Sequence, residues 1–484
     1  MSLSVSEIKR FIEEDATSER KQSAAVGARY YEASHDILKC RLFYYNTDGK
    51  LVEDTTRSNI RISHPFFTIL VDQLAAYMLS SKENPIRAKK NEDGFQDILD
   101  EHFDDEFWSE IAELITGAYA KGFEYLYAFK NEDNKLVFQC ADSMGVVEVR
   151  EKDTDDGCKY VIYWYIDRVE KGKKTIKRIQ VWSENEVTYY VQSGTNGKIV
   201  LDDSVETNPR PHIVYTDNKT GKKMGYGLGY IPFWRLDNNR KQFSGLKPVK
   251  ALIDDYDMMA CGLSNNLVDF DTPLYVVSGF QGDNLDELQQ NLKTKKIVGV
   301  DNEGGINVQT VDIPYQARKE KLDLDKESIF TFGMGLNTSG LKDTTATTNI
   351  AIKTAYALLD MKANKIETRL KKLLKEIVKV VLEDINQKNN TDYQVSDVEF
   401  VFERTIMTNE TENAQNKKTK AETKQVEVNT LLNVATMLDD ETIIQNLCSV
   451  LDVDYEEIKS KLPKSGEDDL NTAKATLDTI TLEE

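Results

Sequence analysis

The sequence predicts an α+β fold in which helical segments flank a long antiparallel β-meander. Apolar residues recur at three- and four-residue steps before about residue 120 and after residue 248, which is the helical period. Between about residues 122 and 234 they alternate at every second position instead, as in strands. The 484 residues are 40% hydrophobic, which is enough to bury a core and excludes global disorder.

Residues 1–120 are predicted to be mainly helical. The triplet Ser63-His64-Pro65 can begin a helix, because proline is tolerated in a first helical turn. That helix should end before Asn84-Pro85 and carry an apolar stripe made of Phe67, Leu70, Val71, Leu74 and Met78. A second amphipathic segment is expected over about residues 95–119.

The alternating block is predicted to be an antiparallel meander. Its strands are rich in Tyr, Val, Ile and Trp, and polar turns separate them at short intervals. The block closes at Ile231-Pro232-Phe233-Trp234. The expected strands cover residues 125–129, 136–138, 146–150, 160–166, 176–182 and 187–191.

Two helices are predicted around a small α/β insert. The first follows Pro248 and has an apolar seam on one side and Asp254, Asp255 and Asp257 on an acidic flank. The insert should contain strands at 274–277 and 297–300, a short helix near 285–292, and a hairpin through Gly304-Gly305. The second helix ends at Gly333 and Gly335, and a polar stretch follows it.

A long helix is predicted from about residue 352, because apolar residues form a stripe through Val381 and proline is absent from Tyr315 to Leu462. About 38 residues at the helical rise give a length of roughly 57 Å. A strand at 398–402 and helices at about 409–432 and 441–462 should follow, and the tail from residue 465 is expected to be disordered. The opposite face of the long helix is expected to be basic, with Lys362, Lys365, Arg369, Lys372, Lys375 and Lys379.

No catalytic, metal-binding or cofactor motif is present in the sequence. The four histidines (His35, His64, His102 and His212) have no metal-ligand spacing, and no Gly-Lys pair is followed by Ser or Thr as in a phosphate-binding loop. Five scattered cysteines predict reduced intracellular thiols. No run approaches the roughly 18 apolar residues of a membrane span, and no signal peptide is recognisable. The sequence therefore predicts neither an enzyme nor a cofactor.

Several local signatures occur in a characteristic order. They are Asn59-Ile-Arg-Ile-Ser63-His-Pro65-Phe66 followed by Val71-Asp72-Gln73, then Ile231-Pro232-Phe233 with Asn238-Asn239, and Lys250–Asp257 leading through Ser264-Asn265-Asn266. Together with the helix–insert–helix–polar loop–long helix order, they make roughly residues 20–460 resemble the portal protein of tailed bacteriophages with long non-contractile tails.

The resemblance implies a phage-portal fold with a helical and β-rich wing, a two-helix stem, a small α/β clip, a long spine helix and a helical crown. It also implies a ring, usually of twelve copies, around a tunnel for double-stranded DNA at one capsid vertex. Transferred to this sequence, the parts are the wing 1–245, stem helices 246–270 and 315–333, clip 271–314, tunnel loop 334–348, returning wing 349–404, crown 405–464 and tail 465–484.

The same resemblance implies a role without catalysis. Double-stranded DNA would pass non-specifically, and the implied partners are the terminase large subunit, a head–tail adaptor, and the major capsid and scaffolding proteins. The protein would be assembled in the host cytoplasm and reside in the virion, without contact with a membrane. The residues expected to contact DNA from the loop are Asn337, Thr338, Ser339, Lys342, Thr344 and Thr345, and the stem acids expected to line the channel are Asp254, Asp255 and Asp257.

Electrostatics fits a conduit that holds DNA loosely. Each phosphate–cation contact adds affinity and friction, whereas the formal charge of −20 per chain amounts to about −240 for twelve copies and would tend to repel DNA. The basic face of the long helix is expected to meet acids of a neighbouring subunit or of the capsid.

Two other interpretations are open at this point. An acidic, intracellular, β-rich scaffold or interaction protein would explain the meander, but it would not explain an apolar seam on two helices that flank a compact insert. An enzyme with an unrecognised site is disfavoured by the absence of catalytic motifs. The oligomeric state discriminates among the three interpretations.

Overall fold

The computed structural model describes most of the chain. The described residues are 3–81, 83–90, 94–130, 135–151, 157–170, 174–194, 197–216, 223–270, 274–280, 284, 286, 288, 300–309, 314–338, 349–406, 410–434, 438–451 and 455. They divide into two units, of which the first contains residues 1–340 and 354–406 and the second contains residues 341–353 and 407–484.

The first unit begins with two helices, each capped at its N-terminal end by the side chain of a serine. Helix α1 is Val5–Ala16 and α2 is Glu19–Tyr31, and Ser4 forms a reciprocal capping box with Glu7 at the start of α1. A short hairpin follows, with β1 at Phe43–Tyr45 and β2 at Leu51–Glu53. Helix α3, Phe66–Met78, buries the predicted apolar stripe and confirms the helix expected after Pro65.

The segment predicted as one amphipathic helix over 95–119 is two helices. After the short strand β3, Ile86–Ala88, helix α4 covers Phe95–His102 and α5 covers Asp105–Lys121. Asp104 causes the division, because its side chain accepts a hydrogen bond from the Phe107 N–H at 3.0 Å and so caps a new helix. The apolar period continues across the break, so the pattern alone did not reveal it.

The predicted meander is confirmed. Its strands are β4 (Phe123–Lys130), β5 (Leu136–Ala141), β6 (Val146–Val149), β7 (Tyr160–Glu170), β8 (Lys174–Trp182), β9 (Glu186–Ser193), β10 (Ile199–Leu201) and β11 (Arg210–Pro211). Strands β6 to β10 pair antiparallel in sequence order, and β11 also pairs with β9. Strands β12 (Ile213–Thr216) and β13 (Lys223–Tyr226) form a separate hairpin, and β14 (Phe233–Asp237) pairs with β4, which also pairs with β5.

The N-terminal helices supply part of the core of this sheet region. Ile8 of α1 is buried with Ile162 and Ile179 of the meander. Ala24 of α2 is buried with Phe123 and Trp182. The alternating side chains of the strands therefore face helices that precede them in the chain, so the helices and the sheet share one core.

The helix–insert–helix arrangement is present. Helix α6 is Lys250–Phe270 and helix α7 is Tyr315–Phe332, and strands β15 (Leu274–Phe280) and β16 (Val300–Gln309) lie between them. The prediction of a hairpin turn at Gly304-Gly305 was wrong, because both glycines lie inside β16 and Gly305 pairs with Ser278. Most of the predicted helix at 285–292 and strand residues 297–299 lie outside the described residues.

The long helix is confirmed as α8, the 41-residue segment Asn349–Asn389. Its first residues belong to the second unit, and those from Thr354 onward belong to the first. Strand β17, Val398–Phe400, pairs with β3. The prediction that Lys362 belongs to the exposed basic face was wrong: Lys362 is only 5% exposed, whereas Lys365, Lys372, Lys375 and Lys379 are exposed.

The second unit contains helices α9, Glu410–Val434, and α10, Asp440–Leu451. Both agree with predicted helices, although the expected continuation to residue 462 and the tail from 465 lie outside the described residues. Among the helices that can be described, none has the length and apolar character that a membrane span requires.

Candidate functional site

The α6–α7 helix pair and the start of the polar loop are the features that the sequence singled out. Asp257 of α6 is completely buried, so the expectation that it faces a channel was wrong for this residue. Its Oδ2 lies 2.6 Å from Nδ1 of His35, and its Oδ1 lies 2.7 Å from Nδ1 of His64. The backbone N–H of His64 also donates to Oδ1, at 2.9 Å. Asp257 therefore anchors α6 to the N-terminal segments inside the subunit.

The ionised form of Asp257 is stabilised by these donors. Burial alone would raise the pKa of the carboxyl, but hydrogen bonds from His35 and His64 outweigh burial and hold the pKa below its ordinary value. The His35 ring stacks on Tyr30 with ring centres 4.5 Å apart. Because Nδ1 faces the carboxylate, the tautomer with its proton on Nδ1 donates to Asp257.

Asp254 lies one turn earlier on α6 and keeps a partly exposed side chain. Its carboxylate accepts hydrogen bonds from the Tyr30 hydroxyl and, at 2.7 Å, from the Lys250 amine. Lys250 also pairs with Asp36 at 2.8 Å. Burial and the hydrogen bond to Asp254 raise the pKa of Tyr30 to about 12, so its hydroxyl remains a donor at neutral pH.

Asp255 connects the two helices of the pair. Its carboxylate lies 2.5 Å from the amine of Lys321 on α7, and the same amine also pairs with the buried Asp325. These two carboxylates raise the pKa of Lys321. Asp254 and Asp255 thus each have a lysine partner, which partly neutralises the acidic flank.

The interior of the helix pair is aromatic and aliphatic. Phe66 of α3 packs edge-on against Tyr256 and Phe330, with ring centres 4.8 and 6.1 Å apart. The outer faces of the pair also carry large apolar side chains that are more than half exposed within the single subunit. They are Met258, Leu267 and Val268 on α6, and Tyr315, Leu324 and Phe332 on α7.

Only the beginning of the polar loop belongs to the described residues. Asn337 is half-buried and Thr338 is exposed. Ser339, Lys342, Thr344 and Thr345 lie outside the described residues, so their DNA-contact role stays a prediction.

Sequence reasoning missed two buried polar groups of this region. The cluster of His35, His64 and Asp257 joins residues far apart in the chain, and spacing cannot show such a meeting. Lys362 is buried against the end of α7, although its position within a basic helix face indicated solvent. Within the described part of the chain, no cluster of His, Cys, Asp and Glu side chains is arranged to hold a metal ion.

Comparison with known proteins identifies the family. The chain matches the family described as "Phage portal protein, SPP1 Gp6-like" over residues 11–461. It is 26% identical over 391 residues to the portal protein of Bacillus phage SPP1, covering 80% of this chain and 75% of that protein. It is 25% identical over 434 residues to the portal protein of Clostridium phage phiCD119, covering 85% and 88% of the two chains. The chain therefore belongs to the SPP1 Gp6-like family of phage portal proteins.

Proposed function

We propose that this protein forms the ring-shaped DNA channel at one vertex of a phage capsid. Double-stranded DNA enters through the ring during packaging and leaves through it during ejection. The observation that carries this proposal is the family match, which extends over residues 11–461 and so includes the wing, the helix pair and the insert. The role is structural, and the terminase large subunit supplies the motor.

The helix pair supports the closure of subunits into a ring. Large apolar side chains exposed on α6 and α7 cost free energy in water, at roughly 25 cal/mol per Å² of apolar surface, and a neighbouring subunit can cover them. Repeating one such contact around an axis closes a ring. In this assignment α6 and α7 form the stem, β15 and β16 belong to the clip that binds the motor and later the head–tail adaptor, and α9 and α10 form the crown.

The channel surface in this proposal is weakly attractive to DNA. Asp254 and Asp255 are the stem acids with exposed surface, and each is paired with a lysine, so neither presents an isolated charge. The polar loop contributes hydroxyl and amide groups and a single cation, Lys342. A moving duplex can exchange such contacts rapidly, because few phosphates are neutralised at any time.

Imaging tests the proposal directly. The full chain, purified together with the capsid and scaffolding proteins with which it assembles, should form annular particles wide enough for a duplex in electron micrographs. Native mass measurement should give a multimer close to twelve subunits. Particles that never close, or a monomer at every concentration with these proteins present, would support the scaffold interpretation instead.

Lys342 provides a test of the loop. Lys342→Glu should lower the amount of nuclease-protected DNA per head while leaving the ring intact, because it replaces the cation of the loop by an anion that repels phosphates. Lys9→Glu is the matched control, since it makes the same charge change on the exposed face of α1. Unchanged packaging by Lys342→Glu would remove this residue from the DNA-contact set.

A further inference from the structure

The chain leaves helix α7 through a short segment with a defined conformation. We call residues 333–336 the loop root, since the polar loop begins there. The N–H of Gly333 donates to the Ile329 carbonyl at 2.9 Å, and the N–H of Gly335 donates to the Phe330 carbonyl at 2.8 Å. Met334 between them has a φ of 53°, in the left-handed region that non-glycine residues rarely occupy. The backbone of the root is therefore held in a specific turn.

The root packs directly on helix α3. A Cβ atom on Gly335 would come within 2.2 Å of Cδ2 of Leu70, and one on Gly333 would come within 2.5 Å of Cδ1 of the same leucine. No side chain fits at either position unless Leu70 moves. The backbone at the end of α7 is thus in contact with the wing.

Gln73, one turn further along α3, holds the root by two hydrogen bonds. Its Oε1 accepts from the N–H of Leu336 at 3.0 Å, and its Nε2 donates to the carbonyl of Leu336 at 3.0 Å. The side-chain amide pairs with the backbone of one residue as a neighbouring strand would. Leu336 is 7% exposed, so water competes weakly for these bonds.

Lys362 of α8 holds the root from a second direction. Its amine donates to the Gly333 carbonyl at 3.1 Å and lies 3.4 Å from both the Leu70 carbonyl and the Tyr119 hydroxyl. Among the described residues, no carboxylate lies within ion-pair distance of this amine. Burying an amine without an acid to pair with it costs free energy. The Gly333 carbonyl at the C-terminal end of α7 offsets part of this cost, because that end of a helix attracts positive charge.

The remaining side of the root faces open space. A cleft of about 420 Å³ is lined by residues that include Phe332, Met334, Lys362 and Lys365. The loop root could therefore move toward the cleft if its hydrogen bonds to Gln73 of α3 and Lys362 of α8 were removed.

We infer that Gln73 and Lys362 are positioning residues that fix where the polar loop leaves the stem helix, and hence where the loop meets DNA. The inference rests on the proposed function, because it assigns a DNA contact to the loop. Neither residue touches DNA in this account. They act through the backbone of Gly333 and Leu336, from two wing helices that pack against the same turn.

Amide hydrogen exchange of the full chain tests the contact. Gln73→Ala and Lys362→Met should accelerate exchange in a peptide covering residues 333–338 by about tenfold, since each removes buried hydrogen bonds of the root. Lys365→Met is the matched control: it makes the same change one turn along α8, at an exposed position, and should leave exchange in this peptide unchanged. Exchange at the wild-type rate in both test variants would overturn the inference.

A second measurement separates positioning from general stability. Gln73→Glu keeps the length of the side chain and an acceptor for the Leu336 N–H. The exchange rate of the 333–338 peptide in this variant should therefore fall between the rates in wild type and in Gln73→Ala. Amide exchange in peptides from α1 and β7, far from the loop root in the sequence, reports any loss of stability of the whole chain. An acceleration of equal size in these distant peptides would show general destabilisation and would overturn the positioning role.

Packaging completes the test. Rings of Gln73→Ala and Lys362→Met should form with the wild-type subunit number but yield several-fold less nuclease-protected DNA per head, whereas Lys365→Met rings should package normally. Normal packaging by both test variants would overturn the inference and leave the portal function standing. Failure of the wild-type chain to form rings would instead remove the proposed function on which the inference rests.

Discussion

At the scale of single residues, Asp257 anchors α6 to the N-terminal segments. Three donors converge on its carboxylate, which has no exposed surface. Asp257→Asn should destabilise the unassembled chain by about 3 kcal/mol, because an amide cannot accept from all three donors and leaves buried groups unpaired. The free energy of unfolding in urea measures this loss.

Asp255→Asn is the matched control for that substitution. Asp255 lies two residues earlier on the same helix, but it and its partner Lys321 are each more than a third exposed, and ion pairs near the surface contribute about 1 kcal/mol or less. If the two substitutions lowered the free energy of unfolding equally, the anchoring role assigned to the buried carboxylate of Asp257 would be contradicted.

The buried amine of Lys362 predicts a dependence of stability on pH. Burial lowers the pKa of Lys362 from 10.5 to about 7, so between these values the unfolded chain binds more protons than the folded chain. The contribution of Lys362 to stability therefore rises with pH in that window, by about 2 kcal/mol between pH 7 and 9. Tyr119, the titratable group in contact with the amine, stays neutral there because burial raises its pKa.

The difference between wild type and Lys362→Met isolates this contribution. Denaturation in urea at several pH values should show that the wild-type chain gains stability over the variant as pH rises from 7 to 9. Lys365→Met should follow the wild-type curve, since Lys365 is exposed. A constant difference between wild type and Lys362→Met would contradict the lowered pKa.

At the scale of elements, the β15–β16 pair contains a bulge that depends on glycine. Gly279 has a φ of 66°, and the register shifts between Ser278 and Phe280. Gly279→Ala should cost about 1 kcal/mol because an alanine is strained at positive φ, and should accelerate amide exchange in both strands by roughly fivefold to tenfold. Gly305→Ala is the control, because a Cβ there meets no atom within 4 Å. Equal exchange in the two variants would contradict the bulge.

The elements also show what periodicity can and cannot predict. The stripe of α3, the alternation of β4 to β9 and the length of α8 were predictable, because burial on one face imposes a period on the sequence. The break at Asp104 and the position of Gly304 inside strand β16 were not predictable. Both depend on a local hydrogen bond or a close backbone approach, which leaves the hydrophobic period unchanged.

The same limit applies to the candidate site. Gln73 stood out in the sequence only as part of a signature, and its two bonds to Leu336 span more than 260 residues of chain. Lys362 follows the helical spacing of the basic residues, yet it faces α3 and α5. Pattern reasoning assigns a charged residue to solvent by default, and only the packing of three helices around the amine reveals the exception.

At the scale of the whole molecule, the family and its function were predictable from the order of signatures and elements. Which residues face the channel was not, because that depends on the rotation that relates neighbouring subunits as well as on the fold of one chain. Burial in a single subunit excludes Asp257, and it leaves Asp254 and Asp255 as candidates on α6 with partly exposed carboxylates.

The assembled ring should bind duplex DNA with little dependence on salt. Each neutralised phosphate contributes about −0.9 to the slope of log K against log salt concentration. A channel that neutralises no more than about two phosphates at any time should therefore give a slope shallower than about −2. Fluorescence anisotropy of a labelled duplex at several salt concentrations measures this slope. Lys342→Glu rings should bring the slope closer to zero, whereas Lys9→Glu rings should not change it. A wild-type slope steeper than about −2 would mean that the channel neutralises several phosphates at once. That result would contradict a channel through which DNA moves with low friction.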